Sequence, residues 1–190
     1  GDDQLMAYSN LSCTMLKHGM LDSALEVIGE AWDEHAEIRE IIGKGQRLER
    51  SSRKQGIARY FAQPLALLHR EEAFKLIELT AYANEIDRLK YETIAFLAGE
   101  GQAGWQAEIE RLGDPRRSSL GIKGYCDKVG FKSLERGREL LRYIPDSPFK
   151  GYFCLHLADE CKATKQQKAG LAAEALPFLR MERELGDVQP

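Results

Sequence analysis

Apolar side chains recur every three or four residues along most of this chain, which is the spacing that places them on one face of an α-helix. Alternation of β-branched and aromatic residues with a period of two is missing, and so are the Asn-Gly and Asp-Gly pairs typical of β-hairpin turns. The pattern therefore predicts an all-α fold. The first predicted helix buries Tyr8, Leu11, Met15 and Leu16, and the second buries Ala24, Val27, Ile28 and Ala31.

Helix-breaking residues divide the pattern into five pairs of helices. In the first pair, His18-Gly19 ends one helix and Asp22 or Ser23 starts the next, because glycine favours helix ends and Asp and Ser favour helix starts. The same arrangement of two helices around a break recurs four more times. The apolar positions of the five pairs fall within residues 8–31, 57–80, 89–112, 122–141 and 152–176.

A small residue early in each second helix gives the repeat its period. Successive small residues are 31, 33 and 32 residues apart after a first interval of 49, and the excess lies in the polar stretch Arg39–Lys54. Small side chains let neighbouring helices approach closely. A period in the low thirties with two helices per unit is typical of an α-solenoid, in which stacked pairs share one core. The small residues are Ala24, Ala73, Gly104, Gly137 and Ala169.

The pattern Y-x-x-L-S-x-x-M at residues 8–15, followed by A-x-x-x-I-x-x-A at residues 24–31, resembles a tetratricopeptide repeat. The turn at residues 18–26 is also similar to that of a pentatricopeptide repeat. The later pairs depart from the motif, since Gly137 replaces the expected alanine and no pair ends in the usual proline. The resemblance implies a right-handed α-α superhelix of about five hairpins, and such folds serve as protein-binding scaffolds.

Length and composition fit one compact domain. The chain has 190 residues, of which 43% are apolar and 30% charged, so a core forms without disulfides or metal. We expect a single solenoid domain over residues 2–185 and a frayed tail over residues 186–190. Gly1 before two aspartates is typical of the scar of a removed tag, and a targeting segment removed with it would leave no trace here.

Charge, hydropathy and cysteine usage narrow the classes of function. The formal net charge of −3 argues against a generic polyanion binder, which would be basic overall. No stretch approaches the length of uninterrupted apolar sequence that spans a bilayer, so we expect no membrane insertion of this segment. The four cysteines form no C-x-x-C pair, which supports neither a zinc site nor a disulfide framework and favours a cytoplasmic location. We expect no cofactor and no metal.

Two patterns that suggest chemistry are better explained by helix structure. Residues 99–104 match G-x-G-x-x-G, but the dinucleotide-binding motif needs a preceding strand, and a helical pattern precedes it here. His156, Asp159 and Glu160 share one helix face, but a metal site on one helix needs a further ligand from elsewhere. Without a G-x-S-x-G elbow or another catalytic constellation, we expect a protein that is not an enzyme.

We therefore expect a scaffold that binds a peptide or a partner domain on the concave face of the solenoid. The alternative is an RNA-binding helical-repeat module, in which arginine clusters at residues 47–59 and 136–142 hold phosphates and Tyr60 or Phe61 stacks a base. The salt dependence of the affinity distinguishes the two hypotheses, because nucleic-acid binding weakens steeply as the salt concentration rises. The candidate contacts, chosen from first helices, are Arg59, Gln63, Lys123, Asp127, Lys128, His156 and Asp159.

Overall fold

A computed structural model describes residues 2–45, 60–112 and 133–186 of the chain. The regular elements in these ranges are ten helices with no strand among them, which confirms the all-α prediction. Residues 187–190 of the predicted tail lie outside the described residues. The helices are α1 (Asp2–Lys17), α2 (Leu21–Glu34), α3 (Ala36–Lys44), α4 (Ala62–Leu65), α5 (Arg70–Thr80), α6 (Ile86–Gly99), α7 (Trp105–Leu112), α8 (Leu134–Leu141), α9 (Pro148–Glu160) and α10 (Lys165–Gly186).

Glycines in the left-handed conformation end two of the helices where the sequence predicts breaks. Gly19, with a φ of 76°, follows α1, and Gly101, with a φ of 74°, follows α6. In each turn the backbone N–H just after the glycine donates to the carbonyl five residues earlier, at 2.9 Å in both cases. These turns fold α2 back onto α1 and α7 back onto α6.

The helices pack in the order in which they occur in the chain. Within and between successive pairs, α1 packs on α2, α2 on α3, α4 on α5, α5 on α6, α6 on α7, α8 on α9 and α9 on α10. Further contacts join α1 and α2 to α4, α3 to α5, and α6 to both α4 and α8. Neighbouring pairs therefore share their apolar faces.

The helix α6 is buried on all of its sides from Leu89 to Gly99. Two charged side chains lie within this stretch, and both have partners of opposite charge. Lys90 pairs with Glu78 of α5, and Glu92 pairs with Arg88 one turn earlier, at 3.4 Å. Pairing is needed because an isolated buried charge costs several kcal/mol. The helix thus contacts α4 and α5, which precede it in the chain, and α7 and α8, which follow it.

The insertion between the first two pairs contains a helix of its own. Four of the nine residues of α3 are charged, yet the helix places Ile38 in the core with no exposed surface, and Ile42 packs against the same core. The helix ends at Gly45, whose φ is 59°. The first pair is therefore extended by a third helix, which packs on α5.

The predicted inner face of α1 is wrong at Leu11, which is 46% exposed. Two serines replace it in the core. Ser12 donates to the Ser9 carbonyl at 3.0 Å, and Ser9 donates to the Tyr60 carbonyl, so each hydroxyl is buried with a partner. Hydrophobicity alone does not detect this face, because it is partly polar.

In the last pair the predicted inner face is correct only in part, since Ala158 and Cys161 are buried as expected. Tyr152 and Leu176, both predicted to face inward, are each 51% exposed, while Phe153 and Leu171 are buried. The apolar residues of α9 are distributed all round the helix, and those of α10 occur on both of its sides. Periodicity therefore does not show which face of either helix is buried. The predicted inner-face alanines of α10 that are exposed are Ala169, Ala172 and Ala173.

The proposed spacing role of small residues holds at three of the five positions. Ala24 and Ala73 have no exposed surface, and a methyl group at Gly137 would lie 2.3 Å from a leucine side chain of α9. Gly104 instead lies in the turn before α7 with a φ of 78°, and Ala169 is exposed. Close contact between helices therefore explains the small residue in the first, second and fourth pairs only.

We expect Gly101→Ala to destabilise the fold more than Gly19→Ala, although both glycines have almost the same φ. An alanine at either position costs about 1 kcal/mol in the left-handed conformation. At Gly19 the new methyl group meets nothing within 4 Å, whereas at Gly101 it would lie 2.4 Å from the Arg136 guanidinium carbon. Arg136 would then lose its 3.0 Å hydrogen bond to the Gly99 carbonyl, a further loss of about 1 kcal/mol.

Urea unfolding of the two variants and the parent chain measures these free energies of unfolding. Gly43→Ala is the control for the substitution itself, since Gly43 lies inside α3 with open space around it. It should be neutral or stabilising by up to about 1 kcal/mol. Equal losses for Gly19→Ala and Gly101→Ala would contradict a structural role for Arg136.

Candidate functional site

A groove of about 280 Å³ lies between α1 and the segment that leads into α4. Five of its lining residues come from consecutive turns of α1 and two from the segment around α4. We call it the α1–α4 groove. Its described lining residues are Ser9, Asn10, Cys13, Thr14, Lys17, Tyr60 and Gln63.

The groove face of α1 lies beside the face that the helix turns to the core. Leu5, Ser9 and Leu16 are buried, and the groove residues Asn10, Cys13 and Lys17 follow at spacings of three and four residues. Such spacings keep side chains on one side of a helix. The bond from Ser9 to the Tyr60 carbonyl joins the two walls at the floor of the groove.

The lining of the groove is mostly neutral and able to form hydrogen bonds. It contains hydroxyl groups, two carboxamides, one thiol and one ammonium group, and no carboxylate among the described lining residues. Within the described part of the chain, Lys17 forms no ion pair and the Asn10 side chain forms no hydrogen bond. Both groups are exposed and therefore available to a ligand.

The contact residues predicted from the sequence do not lie together in the structure. Gln63 lines the α1–α4 groove but is only 2% exposed. His156 and Asp159 lie on α9, outside this groove; Asp159 is exposed, while the His156 ring stacks on Phe153 with centroids 6.4 Å apart. The His156 Nε2 is buried with no hydrogen-bond partner in the described ranges. Outside the described residues lie Arg59, Lys123, Asp127 and Lys128.

The groove residues of α1 are not among the contact residues that the sequence predicts. Their signal in the sequence is a polar stripe at Asn10 and Lys17 beside the buried stripe of the same helix. A solvated helix surface shows the same polar stripe, so the groove becomes visible only when Tyr60 is placed opposite α1.

The glycine-rich segment 99–104 is a turn between two paired helices. It follows α6, so the strand that precedes a dinucleotide-binding motif is replaced here by a helix, as the sequence predicts. Arg136 donates to the Gly99 carbonyl at 3.0 Å, and Arg70 donates to the Ala103 carbonyl at 2.8 Å. The two arginines thus hold the turn from both sides, and their role here is structural.

A larger depression of about 680 Å³ runs along the outer side of α8. Its lining side chains are mostly exposed, and Arg138 is engaged in an ion pair with Glu174 at 3.0 Å. It offers an open charged surface rather than an enclosed site. In residues 2–45, 60–112 and 133–186, no three His, Cys, Asp or Glu side chains come together as a metal-binding group. The lining residues are Leu134, Glu135, Arg138, Glu139, Arg142 and Gln167.

Comparison with protein-family models, with curated proteins and with solved structures finds no match to this chain. The tetratricopeptide resemblance therefore stays a prediction. Among the described helices, none combines the length and the apolar character needed to cross a bilayer.

We expect Cys13 to react faster with iodoacetamide than Cys154 and Cys161 in the folded protein. Cys13 is half-buried at the groove, whereas the other two are buried in the core, and burial raises the pKa of the Cys154 and Cys161 thiols. The reactive form is the thiolate, so a raised pKa slows alkylation until the pH rises towards it. Peptide mass spectrometry should show a rate difference of about tenfold or more, because the buried thiols react only after local opening.

Denaturant provides the control for this experiment, since unfolding should make the three alkylation rates similar. A native rate for Cys154 that equals the rate for Cys13 would contradict the accessibility of the groove.

Proposed function

We propose that this chain is a non-catalytic interaction module that binds a peptide segment of a partner protein in the α1–α4 groove. The observation that carries the proposal is the pair Asn10 and Lys17, two exposed polar groups that line the groove and have no partner in the described part of the chain. An extended peptide has backbone N–H and C=O groups that need partners, and a carboxamide supplies both a donor and an acceptor.

We also propose that the helix pairs form a right-handed solenoid of the tetratricopeptide type. Packing in chain order supports this, because stacked repeats contact mainly their neighbours. The first helices of the first three pairs, α1, α4 and α6, contact one another in turn. On this arrangement the α1–α4 groove lies on the side lined by first helices, where the sequence predicts partner contacts.

Recognition of RNA is the second candidate function, and Tyr60 is the observation that favours it. Its side chain is 36% exposed at the groove, and residues 46–59, which precede it in the sequence, contain five basic residues and one acidic residue. Exposed aromatic rings stack bases in single-stranded nucleic-acid sites. The described lining of the groove offers one cation, however, whereas binding a phosphate backbone uses several. A peptide ligand is therefore favoured.

Selection from a phage-displayed library of random peptides tests the proposed function. We expect enrichment of peptides whose affinity, measured by fluorescence anisotropy, falls about tenfold or more in Tyr60→Ala, because an aromatic side chain in a binding pocket contributes about 1–2 kcal/mol. Tyr152→Ala is the matched control, since Tyr152 is also an exposed tyrosine but lies on α9 outside the groove. It should leave the affinity unchanged.

Protection of Cys13 locates the bound peptide independently of substitution. A selected peptide should slow the alkylation of Cys13, which lines the groove, and leave the rates of Cys154 and Cys161 unchanged. Competition with polyuridylic acid at increasing salt tests the second candidate. Failure to enrich any peptide, together with binding of that RNA that weakens steeply with salt, would refute the peptide proposal and support RNA binding.

A further inference from the structure

We propose that the α1–α4 groove selects an extended peptide segment in which an apolar side chain and a carboxylate lie four or six residues apart, and therefore on the same side of the peptide, the apolar group contacting Met6 and the carboxylate contacting Lys17. This inference rests on the proposed function and specifies the class of peptide that the groove binds. Three properties of α1 carry it: the surrounding charge, the exposure of one methionine, and the spacing of groups along one helix face.

Lys17 lies in a part of the chain with no negative charge to neutralise it. No Asp or Glu occurs anywhere in residues 4–21, and Lys17 forms no ion pair in the described ranges. No carboxylate is present among the described lining residues of the groove. A ligand carboxylate is the complementary partner.

The end of α1 imposes a condition on how that carboxylate binds. Lys17 is the last residue of the helix, where the helix dipole contributes about half a negative charge. This charge repels an anion at a distance and attracts the lysine ammonium. The ligand carboxylate is therefore favoured only in direct contact with the Lys17 ammonium, which makes its position along the peptide important.

Met6 supplies an apolar contact on the same side of α1. Its side chain is 37% exposed, and spacings of four, three and four residues connect it to Asn10, Cys13 and Lys17. At about 100° per residue these four positions lie on one helix face. Exposure of a methionine beside a polar groove suits a peptide side chain, because the flexible thioether adapts to different apolar shapes.

The spacing along α1 sets the spacing along the peptide. A helix rises about 1.5 Å per residue, so Met6 lies about 6 Å from Asn10 along the axis, and Asn10 lies about 10.5 Å from Lys17. An extended peptide advances about 3.3 Å per residue. A peptide parallel to the helix therefore advances about five residues between Met6 and Lys17, and its backbone passes Asn10 on the way. Because alternate side chains of an extended peptide point to the same side, the two contacting side chains are four or six residues apart.

The peptides selected from the random library provide the first readout. We expect an Asp or Glu to be enriched four or six residues from an aliphatic or aromatic residue. Replacing that acid by its amide should weaken binding about two- to fivefold, which is the range for an exposed ion pair. Moving the acid by one residue, which turns it to the opposite side of an extended peptide, should have the same effect.

Charge variants of the protein provide the second readout. Lys17→Gln should bind the acidic peptide and its amide analogue equally, and Lys17→Glu should prefer a peptide with lysine in place of the acid. Lys168→Glu is the matched control, since Lys168 is an exposed lysine on α10 outside the groove. It should keep the preference of the parent chain. Urea unfolding of each variant shows whether it is folded.

The outcomes distinguish the inference from the function on which it rests. Groove-binding peptides without an acidic residue at this spacing, or a preference that survives in Lys17→Glu, would overturn the inference and leave the peptide-binding function standing. Failure to enrich any peptide that protects Cys13 would overturn both.

Discussion

Burial of α6 on every side is the constraint on which the rest of the described fold depends. This helix contacts α4 and α5, which precede it in the chain, and α7 and α8, which follow it, so it connects the packing of earlier helices to that of later ones. Its buried Lys90 and Glu92 are tolerated because each has a partner of opposite charge. Packing of α4 against α6 also holds the second wall of the α1–α4 groove in place.

The groove exists because α1 turns a partly polar face inward. Ser9 and Ser12 occupy core positions where leucine is more usual, and the Ser9 hydroxyl bonds to the backbone carbonyl of Tyr60. A bond between a side chain and a backbone carbonyl constrains the distance between the two walls more closely than apolar packing does. The exposed groups beside it, Asn10 and Lys17, therefore lie at a defined distance from the opposite wall.

Sequence periodicity predicted the helices of the described ranges other than α3, and most of their ends. The breaks at Gly19 and Gly101 were predictable because a left-handed residue after a helix favours glycine. The face that a helix turns to the core was predictable only where its apolar residues are confined to one side, as in α2 with Ala24 and Ile28. Of the predicted contact residues within the described ranges, only Gln63 lines the groove.

Local spacing of side chains was thus enough to establish an all-helical chain, its paired helices and the turns between them, because these features depend on interactions within a few residues. Which side of α10 is buried and which residues lie opposite Asn10 depend on contacts between distant parts of the chain. Ser9 and Tyr60 are 51 residues apart, and no periodicity encodes their hydrogen bond. Packing of α1, α4 and α6 against one another brings them together and forms the groove.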